Sequence, residues 1–215
     1  MRDDPDWEAR VRSAAAALGV TLSVEAADQM GLHGDLLLEW NRKVNLTRIT
    51  DPAEVAVKHF ADALAPAPFL PTEARMLDIG AGGGFPGLPL AVVMPGLRVT
   101  LIDAGRKKVS FMQHVIRTLG LPNAAARHVR AEALAGEDFD LVVCRALADL
   151  PEILRLARPL VRPGGRIIAL KARLAQEESA LLGTLEGEGV LVTVRKYALP
   201  FLGDPRTLIT LTLPV

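Results

Sequence analysis

Beyond residue 75 the chain alternates short apolar runs with segments whose apolar residues recur at helical spacing. Runs at 75–79, 98–103, 124–129, 139–145 and 166–170 predict five strands, and helices are expected to open near Pro86, Arg106, Leu150 and Ala172. Such alternation builds a mostly parallel sheet covered by helices on both faces. Pro163-Gly164-Gly165 reads as the turn before the fifth strand. The pattern then changes, because 190–197 and 207–213 are β-rich with only a short connection between them, which predicts a hairpin. A dinucleotide-binding sheet would more usually continue with another helix and a parallel strand.

The first 64 residues carry helical signals instead. An Ala-rich stretch at 7–18 is closed by Gly19, a second helix is expected over 23–42, and Asp51-Pro52 with Glu54 supplies N-cap, first-turn proline and first-turn acid for a third. Residues 65–74, APAPFLPTEA, break the periodicity. The expected organisation is therefore a small helical subdomain at 1–64, a linker at 65–74 and an α/β domain at 75–215.

Composition narrows the class. With 215 residues and half of them hydrophobic, the chain can bury one substantial core and a smaller appendage, about 70 % of its unfolded surface. No apolar run approaches the roughly 20 residues that span a bilayer, and the acidic start MRDDPDW is unlike a signal peptide, so no membrane partner and a cytoplasmic protein are expected. The single cysteine, Cys144, sits in an apolar run where a small buried hydrophobe fits better than a nucleophile, and the four histidines show no ligand spacing, so no metal is expected.

Chemistry concentrates at MLDIGAGGGFPG, which starts at Met76. Gly80, Gly82, Gly83, Gly84 and Gly87 allow a tight turn and a close approach of backbone to ligand. Asp78, two residues before Gly80, stands where a strand should end and can accept from a polar or cationic ligand. Asp103 closes the next apolar run about 20 residues after the turn, the position from which an acid reaches a ribose diol. Two acids around a glycine turn suit S-adenosylmethionine (SAM) and nicotinamide cofactors alike; the acid before the first glycine and the C-terminal strand pair favour SAM, and with it a class I SAM-dependent, Rossmann-like methyltransferase fold.

Ligands of open α/β sheets lie at the carboxyl ends of the strands, so Asp78, Gly80, Asp103, the 130–132 segment, Arg145 and Lys171 should share one rim. Glu132 is placed to approach an adenine, Arg145 the methionine end or an anionic substrate. The turn after the fourth strand reads Cys144-Arg145-Ala146-Leu147, not the Asn/Asp-Pro-Pro-aromatic turn of exocyclic amine methylation, and Cys144 lacks the proline that precedes a pyrimidine-C5 nucleophile. Guanine N7 needs neither device, since its lone pair lies in the ring plane and carries no proton. Formal charge is zero overall, yet 98–173 holds 14 Lys/Arg against 7 Asp/Glu, a net of +7. That permits an anionic partner, with Lys107, Lys108, Lys171 and Arg173 as candidate phosphate contacts.

Together these residues resemble a known family. Trp40-Asn41, Asn45-Leu46-Thr47, Lys58-His59 with Asp62, the DIGAGGGFPG turn, Thr100-Leu101-Ile102-Asp103 with Lys107 and Lys108, Arg145-Ala146 and Ala169-Leu170-Lys171 make the chain similar, over nearly its whole length, to the bacterial small-subunit (16S) ribosomal RNA guanine-N7 methyltransferases, the RsmG or GidB family. The resemblance implies SAM as cofactor, with Gly80 and Phe85 in the glycine turn, Ala131 and Glu132 beside the adenine and Arg145 after the fourth strand as contacts. It also implies small-subunit ribosomal RNA or the subunit itself as partner, with Asn45 a substrate contact, and a monomer is expected. Ala63, Cys144 and Ala172 depart from residues common in the family. Trp40 and His59 either knit the helical segment to the sheet or touch substrate. A nicotinamide oxidoreductase, or a non-catalytic RNA-binding protein on a SAM fold, are the competing readings.

Overall fold

A computed structural model describes Met1 and residues 3–215. Its seven-stranded sheet is ordered β3-β2-β1-β4-β5-β7-β6, built from β1 (Ala74–Ile79), β2 (Leu97–Asp103), β3 (Ala124–His128), β4 (Phe139–Arg145), β5 (Val161–Lys171), β6 (Leu191–Ala198) and β7 (Pro205–Thr212). The first five run parallel, while β7 enters between β5 and β6 and is antiparallel to both. This is the expected class I methyltransferase topology, in which no sixth parallel strand follows. The turn expected before the fifth strand lies inside β5: the register jumps from Phe139↔Val161 to Leu141↔Arg166, so residues 162–165 loop out of the ladder. Glycine is required there, since a Cβ on Gly165 would come within 2.9 Å of two carbonyl oxygens, those of Arg162 and Asp140.

Strand side chains alternate between two cores. Met76, Val99, Leu101, Val143 and Ile168 face one way and pack with the N-terminal helices α1 (Trp7–Ala17) and α2 (Val24–Val44) and with α5 (Gly87–Val93) and α6 (Arg106–Leu119). Leu77, Ile79, Val142, Ile167 and Ile209 face the other way, under α7 (Leu150–Ala157) and α8 (Gln176–Gly187). The N-terminal helices thus contribute to the same core as one face of the sheet, with Trp7, Met30, Leu37 and Phe60 almost fully buried. Residues 67–69 form a short 3₁₀ turn pinned by Arg166, which donates to the Phe69 carbonyl at 3.0 Å, and by Arg195 over the Phe69 ring. Among the described residues no helix is long and apolar enough to cross a membrane, and no group of three or more His, Cys, Asp or Glu could hold a metal ion.

Two helices depart from the sequence pattern. Asp51 caps the third helix as expected, its carboxylate accepting from Glu54 N–H at 2.9 Å, but after α3 (Pro52–Glu54) the winding widens to a π-helix over Val55–Ala61 before α4 (Asp62–Leu64) resumes. The last helix starts at Gln176 rather than near Ala172, because Glu178 reaches back to accept from Ala175 N–H at 3.0 Å and from Leu150 N–H at 2.8 Å.

The glycine turn is packed from beneath. Gly87 N–H donates to Asp78 Oδ2 at 2.8 Å, and a Cβ at Gly87 would stand 2.8 Å from both that oxygen and Leu101 Cδ2. Overfilling so tight a site costs about 1–3 kcal/mol. The Gly87→Ala variant is therefore expected to lower urea-unfolding stability by that amount; an unchanged midpoint would show that the turn has slack.

Candidate functional site

At the carboxyl ends of β1, β2 and β4 lies a cavity of about 380 Å³, lined by Gly80, Asp103, Lys108, Ala131, Glu132 and Leu147 among others. Gly80 adopts φ +71, and a Cβ there would meet the Leu147 side chain at 2.6 Å, so only glycine leaves the turn this close to its wall. Asp103 does more than face the cavity. Its two oxygens accept from Gly82 N–H at 3.1 Å and Gly105 N–H at 2.7 Å, which clips the glycine turn onto the end of β2. Ala131 and Glu132 sit on the 3₁₀ turn after β3, where Glu132 pairs with Arg155 at 3.0 Å.

Behind it a second cavity, of about 420 Å³, is lined by Lys58, His59, Asp62, Arg145, Arg173 and Arg206, with Lys171 and apolar residues completing the wall. Ala146 borders both cavities and holds a left-handed φ of 50.

Several expected contacts fall elsewhere. Phe85, expected at the cofactor, is 5 % exposed and forms no part of either wall, because its ring is stacked between His33 and His59, each 4.8 Å away centroid to centroid. Gly82 acts through its N–H on Asp103 and likewise lines neither cavity. Arg145 faces the second cavity instead of the first. Lys108, expected to hold RNA, belongs to the first cavity with its ammonium 3.6 Å from Asp103, so charge reversal there would disturb that cavity too. Lys107 is exposed on α6 and reaches neither cavity. Lys171 is neutralised internally, 2.6 Å from Glu178 and donating to the Ala148 carbonyl at 3.2 Å. Arg173 does stand on the second wall and has no ion-pair partner among the described residues. Asn45 caps α2 with φ 48, a conformation asparagine tolerates, and is exposed outside both walls.

Arg145 organises the second cavity. Its Nη1 donates to the carbonyls of Lys58 at 3.1 Å and His59 at 3.3 Å and lies 3.4 Å from Asp62 Oδ2, while the guanidinium stands over the Phe85 ring at 5.0 Å. Its Nη2 contacts His59 Nδ1 at 3.3 Å, and since a guanidinium can only donate, Nδ1 is the bare nitrogen. His59 Nε2 therefore carries the proton and donates to Thr47 Oγ1 at 2.7 Å. Asn41 fixes that threonine: its side-chain oxygen accepts from Leu46 and Thr47 N–H, and its amide donates to the Thr47 carbonyl. Asp62 is shared further, accepting from the Tyr197 hydroxyl at 2.8 Å with Arg206 Nε at 3.5 Å.

Burial sets the protonation states. It lowers the His33 pKa to about 4 against the opposing bond to the Gly83 carbonyl, and lowers His59 to about 3, helped by the charge on Arg145. Asp78 is pushed up to about 7 by burial, opposed by Gly87 N–H and Arg145, and its Oδ1 is the one buried side-chain polar atom without a partner among the described residues. Burial also drives Cys144 up to about 12, which leaves the thiol inert at neutral pH, as a strand hydrophobe should be.

Of the residues around Arg145, the sequence motifs had already singled out Lys58, His59, Asp62 and Ala146. Tyr197 and Arg206 carried no local signal, because only the β6–β7 register brings them to Asp62. His33 gave none either, since its partner is a backbone carbonyl 50 residues away.

Similarity to known proteins identifies the family. The family profile described as rRNA small subunit methyltransferase G, GidB, matches residues 27–205. The ribosomal RNA small subunit methyltransferase G of Geobacter sulfurreducens is 44 % identical over 204 residues, covering 93 % of this chain and 94 % of that protein. The protein of the same name from Myxococcus xanthus is 39 % identical over 208 residues, covering 95 % and 96 %. Among solved structures, a SAM-dependent methyltransferase from Aquifex aeolicus superposes with a TM-score of 0.58 at 19 % identity, covering 79 % of this chain and 97 % of that one, which shows a shared fold. With the family profile across most of its length and relatives this similar over nearly all of it, the chain belongs to the GidB family of small-subunit ribosomal RNA methyltransferases.

Proposed function

We propose that the protein transfers the methyl group of SAM to N7 of a guanine in 16S ribosomal RNA. The observation that carries this reading is a pair of cavities meeting at Ala146, one built from a glycine turn and an acid at a strand end, the other lined by cations. The residues of the first cavity fit SAM. Asp103 is placed for the ribose hydroxyls, Ala131 and Glu132 for the adenine, and Gly80 for close approach of the methionine end. Asp78, expected at the cofactor, is fully buried beneath the turn and lines neither cavity, so its unpartnered oxygen can favour a bound positive charge only through the intervening backbone.

Bound SAM supplies an electrophilic methyl group whose sulfur retains the C–S electrons as the bond breaks. The in-plane lone pair of guanine N7 forms the new N–C bond, and the positive charge passes to the purine. No proton is removed, so no general base is required. Positioning carries the chemistry, and it falls to Arg145, His59 and Asp62, which fix the second wall, and to Ala146 at the junction. Arg173 can meet a phosphate directly, while Lys58 and Arg206 face the same cavity paired with Glu54 at 2.7 Å and Asp62 at 3.5 Å. Acting on the small subunit or its RNA as a monomer in the cytoplasm completes the reading.

Two experiments test it. Enlarging the junction side chain in Ala146→Leu should cut methylation of small-subunit RNA by 100-fold or more, on the order of the loss that misplacement by about 1 Å produces, while calorimetry still detects SAM binding. Wild-type turnover in that variant would mean that the methyl group does not pass this wall. The second concerns pH. If a cationic ligand binds above Asp78, it favours the carboxylate, so SAM affinity should rise as pH increases towards 7, by up to about tenfold per unit, and level off above the free-protein pKa near 7. His33 and His59, held at about 4 and 3, stay neutral in this window. Asp78→Asn should flatten the profile between pH 5.5 and 7.5; an equally steep slope in that variant would assign it to another group.

A further inference from the structure

The second cavity has one aromatic ring on its wall among the described residues, and it is His59. Three of the ring's sides are committed. Phe85 stacks on one face at 4.8 Å with 16° between the planes, Nδ1 faces the Arg145 guanidinium, and Nε2 bonds to Thr47. The ring therefore cannot flip without breaking two polar contacts, and among the described residues no second ring stacks on its other face. His59 lies on the same wall as Ala146, the residue shared with the first cavity, and Lys58, Arg173 and Arg206 line that wall with it.

We propose that the free face of His59 is the platform on which the target purine stacks when it is turned out of the RNA, with N7 directed to the Ala146 edge of the first cavity. The inference rests on guanine methylation as read above and adds the residue that holds the base. Enzymes that act on a base commonly take it from a single strand or turn it out of its stack, and an aromatic ring can replace the lost neighbour. The chemistry gives a second reason for this ring. Methyl transfer moves the positive charge from sulfur to the purine, so the platform should carry no charge of its own. A protonated imidazole would repel the product, whereas a neutral π face attracts a cation. Burial and the Arg145 charge keep His59 neutral, and Phe85 behind it extends the stack.

The test compares side chains that separate the ring from its hydrogen bonds, using small subunits that lack the methyl group and labelled SAM. Stacking on a protein ring is worth about 5- to 150-fold per base, so His59→Ala and His59→Asn should lose that much in kcat/KM for the subunit, while His59→Phe, which keeps a ring and loses both polar contacts, should retain more than either. Thr47→Val removes the Nε2 partner and spares the ring, and should stay within about tenfold of wild type. SAM affinity, read by calorimetry in all four, should fall far less than kcat/KM for the subunit, and in Thr47→Val it should stay at the wild-type value. The platform is overturned if His59→Asn equals or exceeds His59→Phe, or if Thr47→Val is as damaging as His59→Ala, since either ranks hydrogen bonding above the ring. A wild-type protein that methylates no small-subunit RNA would instead remove the function on which the platform rests.

Discussion

The Arg145 guanidinium keeps its charge with its side chain only 14 % exposed, and four elements are shaped around that requirement. The end of β4 carries it, the π-helical stretch supplies two carbonyls, α4 supplies Asp62, and the glycine turn supplies the Phe85 ring. Burial alone would lower the arginine's pKa; the carboxylates of Asp62 and Asp78 oppose it. Removing one partner of a buried ion pair typically costs about 3–5 kcal/mol, because the other charge is left without compensation. Tyr197 and Arg206 share the same carboxylate, so the β6–β7 pair is tied to the site as well as to the sheet.

The same arrangement joins the two cavities mechanically. His33 donates to the Gly83 carbonyl inside the glycine turn at 2.8 Å and stacks on Phe85; Phe85 stacks on His59; and His59 stands on the second wall. A shift of the turn beside the first cavity would be felt by the ring on the second wall through face-to-face contacts. Asp103 holds the neighbouring residue of the turn, accepting from Gly82 N–H at 3.1 Å. The helical segment that contributes His33 and His59 is thus part of the site's framework.

The fold was legible because hydrophobic periodicity is a local property. All five parallel strands and the antiparallel pair stand where apolar and β-branched runs placed them, and the two acids end their strands as expected. The glycine turn was legible for the same reason. What escaped was which atoms the charged groups choose. Lys171 is drawn inward by Glu178, Lys108 by Asp103, and Phe85 by two imidazoles, and each choice depends on a neighbour remote in sequence or on helix phase. A net of +7 in 98–173 said that cations were available, but three of the four singled out there are paired with acids or turned away from the second cavity. Other cations on its wall come from outside the stretch, Lys58 and Arg206, and these too are paired with acids, Glu54 and Asp62.

The π-helical stretch Val55–Ala61 carries a consequence for how this chain can diverge. Wider winding accommodates one residue more than an α-helix would between the same end points, and here the carbonyls of Lys58 and His59 meet Arg145 within that stretch. Substitutions along it alter one contact at a time. Deleting a single residue would let the helix relax to ordinary winding and would rotate His59, Asp62 and both carbonyls out of phase with Arg145 together. Lineages of this protein should therefore keep the length of 55–61 fixed, with insertions and deletions falling outside the helical run from Pro52 to Leu64.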